Sequence, residues 1–364
     1  MFKVELLIVV FSFVLSIIIS FYFLPRIILL SRKFKLFDKP SERKSHKYNV
    51  SYLGGIAVFL AVLLANLIIG ILFYHINNSI YDFKLAFGLF TSLFVLVLVG
   101  LKDDLIGAKP LEKILFQILA ATFLIVVCNV RILTLNGLFG VYYLSPLVSV
   151  SVSLFLFILL INAFNLVDGI DGLSASISIL SNLVIGCFFL KYGLMFSAII
   201  LFSFSGATLS FLFFNFSYNL RKKIFLGDNG AFVLGLISSY AIIVSFNQCI
   251  KIDELLTNYV FENFQIIIIT LVSYPLLDTV RVFMVRIYKG LSPFKADKNH
   301  MHHHLLKLNL THKKSTLIVV VYTVFLFVLA FVLRFLNIND HFFIILGTSS
   351  VIYFIPIISN FYNK

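Results

Sequence analysis

The sequence predicts an all-α polytopic membrane protein of about eleven transmembrane helices, N-terminus outside and C-terminus cytoplasmic. Three observations carry this expectation. The 364 residues are 60% hydrophobic and only 12% charged, where soluble domains carry about 25% charge. Apolar runs long enough to span a bilayer recur along the whole chain. Lys and Arg gather in alternate connecting segments, the pattern of the positive-inside rule.

The apolar segments lie at 4–25, 53–74, 84–101, 114–130, 146–163, 173–190, 194–214, 231–248, 264–287, 316–335 and 342–360. The first contains Leu6–Leu24, a charge-free run too long for a typical signal-peptide core and followed by no small-residue cleavage site. It is expected to be a retained span. The turn at 191–193 sets the sixth and seventh spans almost back to back. With the N-terminus outside, the inward segments hold 23 of the 29 Lys and Arg residues; the outward ones hold Lys3, Lys84, Arg131, Lys191, Lys251 and Arg334. Residues 1–364 read as one integral membrane domain.

The net charge of +13 is then a property of inner loops. No basic–aromatic RNA motif accompanies it, so nucleic acid is excluded as a partner. Cys128, Cys187 and Cys249 form no CxxC pair, which argues against a disulfide framework or a thiolate metal site.

Five polar stretches all fall on the inward side of this map: DKPSERKSH (38–46), GLKDDL (100–105), NAFNLVDGIDGL (162–173), LGDNGAFVLG (226–235) and SPFKADKNHMHHHLL (292–306). The topology used only Lys and Arg, so this co-location is independent information.

Asp103 and Asp104 close the third span. A carboxylate at mid-bilayer costs roughly 2.5–3.5 kcal/mol on insertion scales, so the pair belongs at the water boundary or on a cation. Hard carboxylate oxygens suit magnesium; a solvated helix end is the alternative. Asn162, Asn165, Asp168 and Asp171 recur at a spacing of three, close together on a helical surface. Capping of the sixth span by Asp171 would explain only one of the four. Asp228, between two glycines, either caps the eighth span or lines a mouth suited to anions and metals. Lys113 either snorkels or meets phosphate. Asp278 and Arg281 lie three apart in the ninth span and are expected to pair, as a structural strut in preference to the wall of a wet cavity. Zinc is the obvious partner for His300, His302, His303 and His304, but no cysteine is near and the acids favour a hard cation. Set in a polar loop, these imidazoles are expected to donate hydrogen bonds to phosphate.

Together the DD pair, NxxNxxDGIDGL, GDxG before a helix, and HxHH preceded by SPF resemble the polyprenyl-phosphate N-acetylhexosamine-1-phosphate transferases, glycosyltransferase family 4. Arg43, Lys44, His46, Gly54 and Gly55 match that family's RKxH…GG pattern, and the resemblance spans residues 38–306 in order. It implies transfer of N-acetylglucosamine-1-phosphate from UDP-N-acetylglucosamine to undecaprenyl phosphate at the cytoplasmic face of the inner membrane. UMP is released, initiating a cell-envelope polysaccharide. It further implies Mg2+, with Mn2+ as substitute, and catalytic roles for Asp103, Asp104, Asp168 and Asp171, Asp103 acting on the lipid phosphate. Asp228 and Asn165 would hold the metal. Asn162, Asn165, Asp171 and Lys113 would lie near the substrates, His300, His302 and His303 on the diphosphate, and Arg43 and His46 beside them. A homodimer is left open.

Leu305-Leu306 after the histidines, where muramoyl-pentapeptide transferases carry Phe-Glu, resembles the N-acetylglucosamine branch. Another UDP-N-acetylhexosamine, or UDP-N-acetylmuramoyl-pentapeptide, is the alternative donor. The chain departs from the family at His304 (Arg in many relatives), Asn49 and Ser51 (Pro) and Ala231 (Ser). A secondary transporter, the rival from another class, would want charges near mid-membrane and internal repeats. Here the acids gather at one face.

Overall fold

The computed structural model describes residues 2–38, 49–76, 82–253, 263–292 and 299–362. Among them, eleven helical spans are long and apolar enough to cross a membrane, one in each predicted segment. The chain is a multi-pass membrane protein. The helices are α1 (Phe2–Lys33), α2 (Gly54–Ile76), α3 (Phe83–Ile106), α4 (Pro110–Val127), α5 (Pro146–Val167), α6 (Leu173–Lys191), α7 (Met195–Asn215), α8 (Gly227–Asp253), α9 (Phe264–Ile269), α10 (Ser273–Tyr288), α11 (Met301–Lys307), α12 (His312–Val332) and α13 (Ile338–Tyr362).

The boundaries follow local chemistry. Asp82 caps α3 by accepting from the Leu85 N–H at 2.9 Å, and Thr311 caps α12 by accepting from the Lys314 N–H at 3.3 Å. Pro110 and Pro146 occupy the first helical position of α4 and α5, where a missing N–H costs nothing.

Three features depart from the sequence reading. The ninth span is not one helix: α9 passes through a 3-10 turn, Thr270–Val272, into α10. The histidine segment, expected as a loop, forms the short helix α11. Nor is the fold purely α. Strand β1 (Phe37–Asp38) pairs antiparallel with β2 (Val50–Ser51), and β3 (Thr134–Leu138) with β4 (Val141–Tyr143). These ribbons are too short for period-two patterning to announce them.

Helix α8 is the axis of the bundle, buried at every residue from 229 to 243. Gly100 lets α3 meet its start: a Cβ there would lie 2.3 Å from Asn229 Cα. That contact delivers the acidic end of α3, one turn further on, to the first turn of α8. Beside it, β2 runs along the segment before α8. Phe225 donates its N–H to the Ser51 carbonyl at 2.7 Å, and Gly54 and Gly55 donate back to Phe225 and Leu226 at 3.0 and 2.8 Å.

Candidate active site

The polar stretches that are described meet at one end of the bundle, where α3, α5 and α10 finish and α4, α8 and α12 begin. Arg43 and His46 lie outside the described residues.

Asp103 is fixed from two sides. Its Oδ1 accepts from the Ala108 N–H at 2.7 Å, and its Oδ2 accepts from Lys113. Lys113 also donates to Asp228 Oδ2 at 3.0 Å. One ammonium on α4 thus holds together two carboxylates from α3 and α8 that would otherwise repel. Lys113 and Asp228 were read separately in the sequence, and here they are partners.

Asp104 caps a helix that is not its own. Its Oδ1 accepts from the Asp228 N–H at 3.0 Å, and its Oδ2 from the Asn229 N–H at 3.2 Å and the Asn229 side-chain amide at 2.6 Å. The first N–H groups of α8 have no acceptors within their own helix, and a carboxylate there is further favoured by the helix dipole. Asp228 was a candidate for this cap. The structure gives the bonds to Asp104, leaving Asp228's carboxylate for Lys113.

The NxxNxxDGID segment divides. Asn162, on α5, donates to Gln117 Oε1 of α4 at 2.7 Å. Asn165, half-buried on the same helix, makes no side-chain hydrogen bond to another described residue. Asp168 follows the last residue of α5 and accepts from the Ser174 hydroxyl. Burial pushes the Asp168 carboxyl up to about 8; the Ser174 bond opposes this, and the charges of Asp228, Asp104 and Asp171 add to it. Asp171 turns the other way. Its Oδ2 accepts from Lys223 at 2.6 Å and lies 3.3 Å from His312 Nδ1, while its carbonyl accepts from Thr316 at 2.9 Å. Burial raises its pKa, but the bonds from His312 and Lys223 outweigh that and hold it below the ordinary 3.8. Lys223 and His312 were missed by the sequence reading. Lys223 counted there only as an inward positive charge.

The histidines face this segment. A Cβ on Gly169 would lie 2.4 Å from His302 Nε2, so glycine is what lets the ring approach the loop. His302 is 1% exposed, and neither ring nitrogen has a hydrogen-bond partner among the described residues. Burial, with His303 next, pushes its pKa well below 6.5, so the ring is neutral. The His303 ring lies 4.3 Å from it. His304, on the flank, is pushed down to about 4 by burial first and by Lys307 and Arg281 next. It does not replace, near neutral pH, the cation that an Arg would supply.

The expected Asp278–Arg281 strut does not form. Asp278 accepts instead from His300 Nδ1 at 2.7 Å, the Met301 N–H at 2.8 Å and the Tyr353 hydroxyl at 2.6 Å, and Arg281 donates to the Asn299 carbonyl. Spacing alone could not anticipate partners 22 and 75 residues away.

Among the described residues, no three His, Cys, Asp or Glu side chains are gathered so as to hold a metal ion by themselves. What the end offers, among the described residues, is a set of hard oxygens, two of them bridged by the Lys113 ammonium, with an uncharged imidazole against Gly169.

The family model for glycosyl transferase family 4 matches residues 86–246, which include the DD, NxxNxxDGID and GDxG segments. The chain is 29% identical over 317 residues to the decaprenyl-phosphate N-acetylglucosaminephosphotransferase of Mycobacterium leprae, covering 83% of this chain and 78% of that protein. It is 28% identical over 303 residues to the undecaprenyl-phosphate alpha-N-acetylglucosaminyl 1-phosphate transferase of Yersinia pestis, covering 82% and 77%. The Escherichia coli K12 protein of the same name is 27% identical over 293 residues, covering 80% and 74%.

Proposed function

Because the chain belongs to glycosyl transferase family 4, a family of phospho-sugar transferases, we propose that it transfers N-acetylglucosamine-1-phosphate from UDP-N-acetylglucosamine to undecaprenyl phosphate. The names of its relatives support this kind of reaction. The observation that carries it for this chain is the Asp103–Lys113–Asp228 cluster, together with the neutral His302 set against Gly169. The loading of positive charge on this end of the spans favours the cytoplasmic face of the inner membrane.

An oxygen of the lipid phosphate forms a bond to the phosphorus that carries the sugar. The bond from that phosphorus to the bridging oxygen breaks, and UMP leaves with its electron pair. A monoalkyl phosphate has its second pKa near 6, so it is mostly dianionic at pH 7 and needs little help from a base. The harder task is to bring two anions together, which rests on positioning and charge stabilisation.

Magnesium fits this donor set. It is usually held by one or two carboxylates plus substrate phosphates, and Asp228 with Asp103 supplies two that already converge on one cation. Asp168, raised chiefly by burial and further by the charges of Asp228, Asp104 and Asp171, adds a third carboxyl to the surroundings of that pair. Asp228 and Asp103 would hold the ion, which would screen the diphosphate and stabilise the leaving phosphate. Lys113, released from its double duty, is placed to meet phosphate. Asp104 keeps the first turn of α8, and with it Asp228, in place. His302 donates one ring N–H to the diphosphate without adding charge.

The test is direct. Purified protein with Mg2+, undecaprenyl phosphate and labelled UDP-N-acetylglucosamine should yield labelled lipid and stoichiometric UMP. No labelled lipid from any UDP-N-acetylhexosamine would refute the reading.

A further inference from the structure

The histidine motif does not act as one unit, and the division is visible in what each ring touches. His302 is buried against Gly169, and among the described residues both its ring nitrogens are unbonded. His300, buried and stacked on His302 with ring planes 7° apart, has its nitrogens taken. Its Nδ1 lies 2.7 Å from Asp278 Oδ2, and its Nε2 lies 3.4 Å from Arg286 Nη2. A guanidinium only donates. An imidazole between a carboxylate and a guanidinium therefore carries its proton on Nδ1 and presents Nε2 as an acceptor. In that tautomer His300 has no N–H left for a phosphate.

The backbone around His300 is held by the same helix. Asp278 Oδ1 accepts the Met301 N–H, the first of α11, and Arg281 donates to the Asn299 carbonyl. Asp278, Arg281 and Arg286 thus bracket His300 from one side of α10. The bracket is closed from the last span: the Tyr353 hydroxyl of α13 donates to Asp278 Oδ1 at 2.6 Å, and Asp278 is fully buried. A buried carboxylate is tolerated only when such donors satisfy it.

We propose that Asp278 and Tyr353 are positioning residues of the transferase: through His300 they fix the start of α11, and so the place at which His302 meets the sugar-nucleotide diphosphate. This rests on the proposed function, and it reassigns His300 from substrate contact to support. The last span becomes part of the donor-site architecture although it brings no group to the substrate.

The experiment turns on stereochemistry. Asn places its amide nitrogen where a histidine has Nδ1; Gln places its amide nitrogen where a histidine has Nε2. In the full-length protein, His300→Asn keeps the bond to Asp278 and retains more kcat/KM for UDP-N-acetylglucosamine than His300→Gln, which loses about 10- to 100-fold, the range for orienting partners. A His300 that touched phosphate through Nε2 would give the reverse order. Tyr353→Phe removes the hydroxyl bonded to Asp278 and raises KM for UDP-N-acetylglucosamine about 5-fold, one hydrogen bond's worth. KM for undecaprenyl phosphate stays unchanged. Thermal unfolding in detergent ranks His300→Asn above His300→Gln whether or not transfer is observed, so failure of the proposed reaction is separable from failure of the bracket. Gln equal to or better than Asn overturns the proposal, as does a Tyr353→Phe enzyme with wild-type KM.

Discussion

The acidic side and the histidine side of the site are built on opposite plans. On the acidic side every charge has a partner: Asp104 takes three donors from the start of α8, and Asp103 shares Lys113 with Asp228. On the histidine side, the ring against Gly169, His302, is buried with no partner for either ring nitrogen among the described residues. A buried polar group without a partner costs of order 1–3 kcal/mol and is rare. On the proposed function, the contrast marks where a phosphate would be received. The acids form a preassembled frame, and His302 holds an unspent hydrogen bond that a phosphate oxygen would complete.

The sharpest way to break this comparison is at Asp228, whose carboxylate shares the Lys113 ammonium with Asp103. Asp228→Asn keeps the shape and removes the charge. Its transfer rate should fall about 100- to 1,000-fold, the scale of losing one electrostatic stabiliser of a charged transition state, with the melting temperature nearly unchanged. A variant with more than a tenth of wild-type turnover in the labelled-lipid assay would remove Asp228 from the centre of the mechanism.

Asp104 should behave in the opposite way. Asp104→Ala strips the cap from α8 and should cost about 2 kcal/mol of stability, the upper range for a lost N-cap, read as a lower unfolding midpoint in detergent. Asp104→Asn retains an acceptor oxygen and should recover part of it. Equal melting of wild type and Asp104→Ala would show that the frame does not depend on this carboxylate.

The two plans were not equally legible in the sequence. The eleven spans were, because hydropathy is a local sum over some twenty residues, and the acids were, because charge next to an apolar run is conspicuous. What each acid does was not. Asp104 caps a helix 124 residues downstream, and nothing in GLKDDL distinguishes it from Asp103. The histidines were legible as a cluster but not as a helix, since MHHHLLK is only seven residues long and is held from α10 and α13. The Asp278–Arg281 pairing failed for the same reason: an i,i+3 rule sees one helix, and both side chains look outward to the backbone flanking His300.

Gly169 tests the contact between the two sides. An added methyl would lie 2.4 Å from His302 Nε2, so Gly169→Ala must push the ring or the loop aside. KM for UDP-N-acetylglucosamine should rise about 10-fold, since 1.4 kcal/mol is a factor of ten, with little change in KM for the lipid acceptor. An unchanged KM would separate His302 from the donor site.

The smallest effect belongs to Asp171, which ties the loop after α5 to Lys223 and His312. Its folded pKa lies below the ordinary 3.8. By linkage, a carboxyl whose pKa is depressed on folding adds stability that is fully present above its unfolded pKa and is lost as pH falls through the folded one. Wild type should therefore hold its melting temperature down to about pH 5 and lose stability progressively below pH 4. Lys223→Met removes the nearer of the two partners. It should lower stability at pH 7 by about 1 kcal/mol, a modest figure for a partly screened pair, and flatten the acid limb, so that the two proteins converge at low pH. Parallel acid limbs would mean that the depression of Asp171 comes from His312 alone. The loop carrying Asp168 and Gly169 would then be anchored to the tenth span and not to the loop that precedes α8.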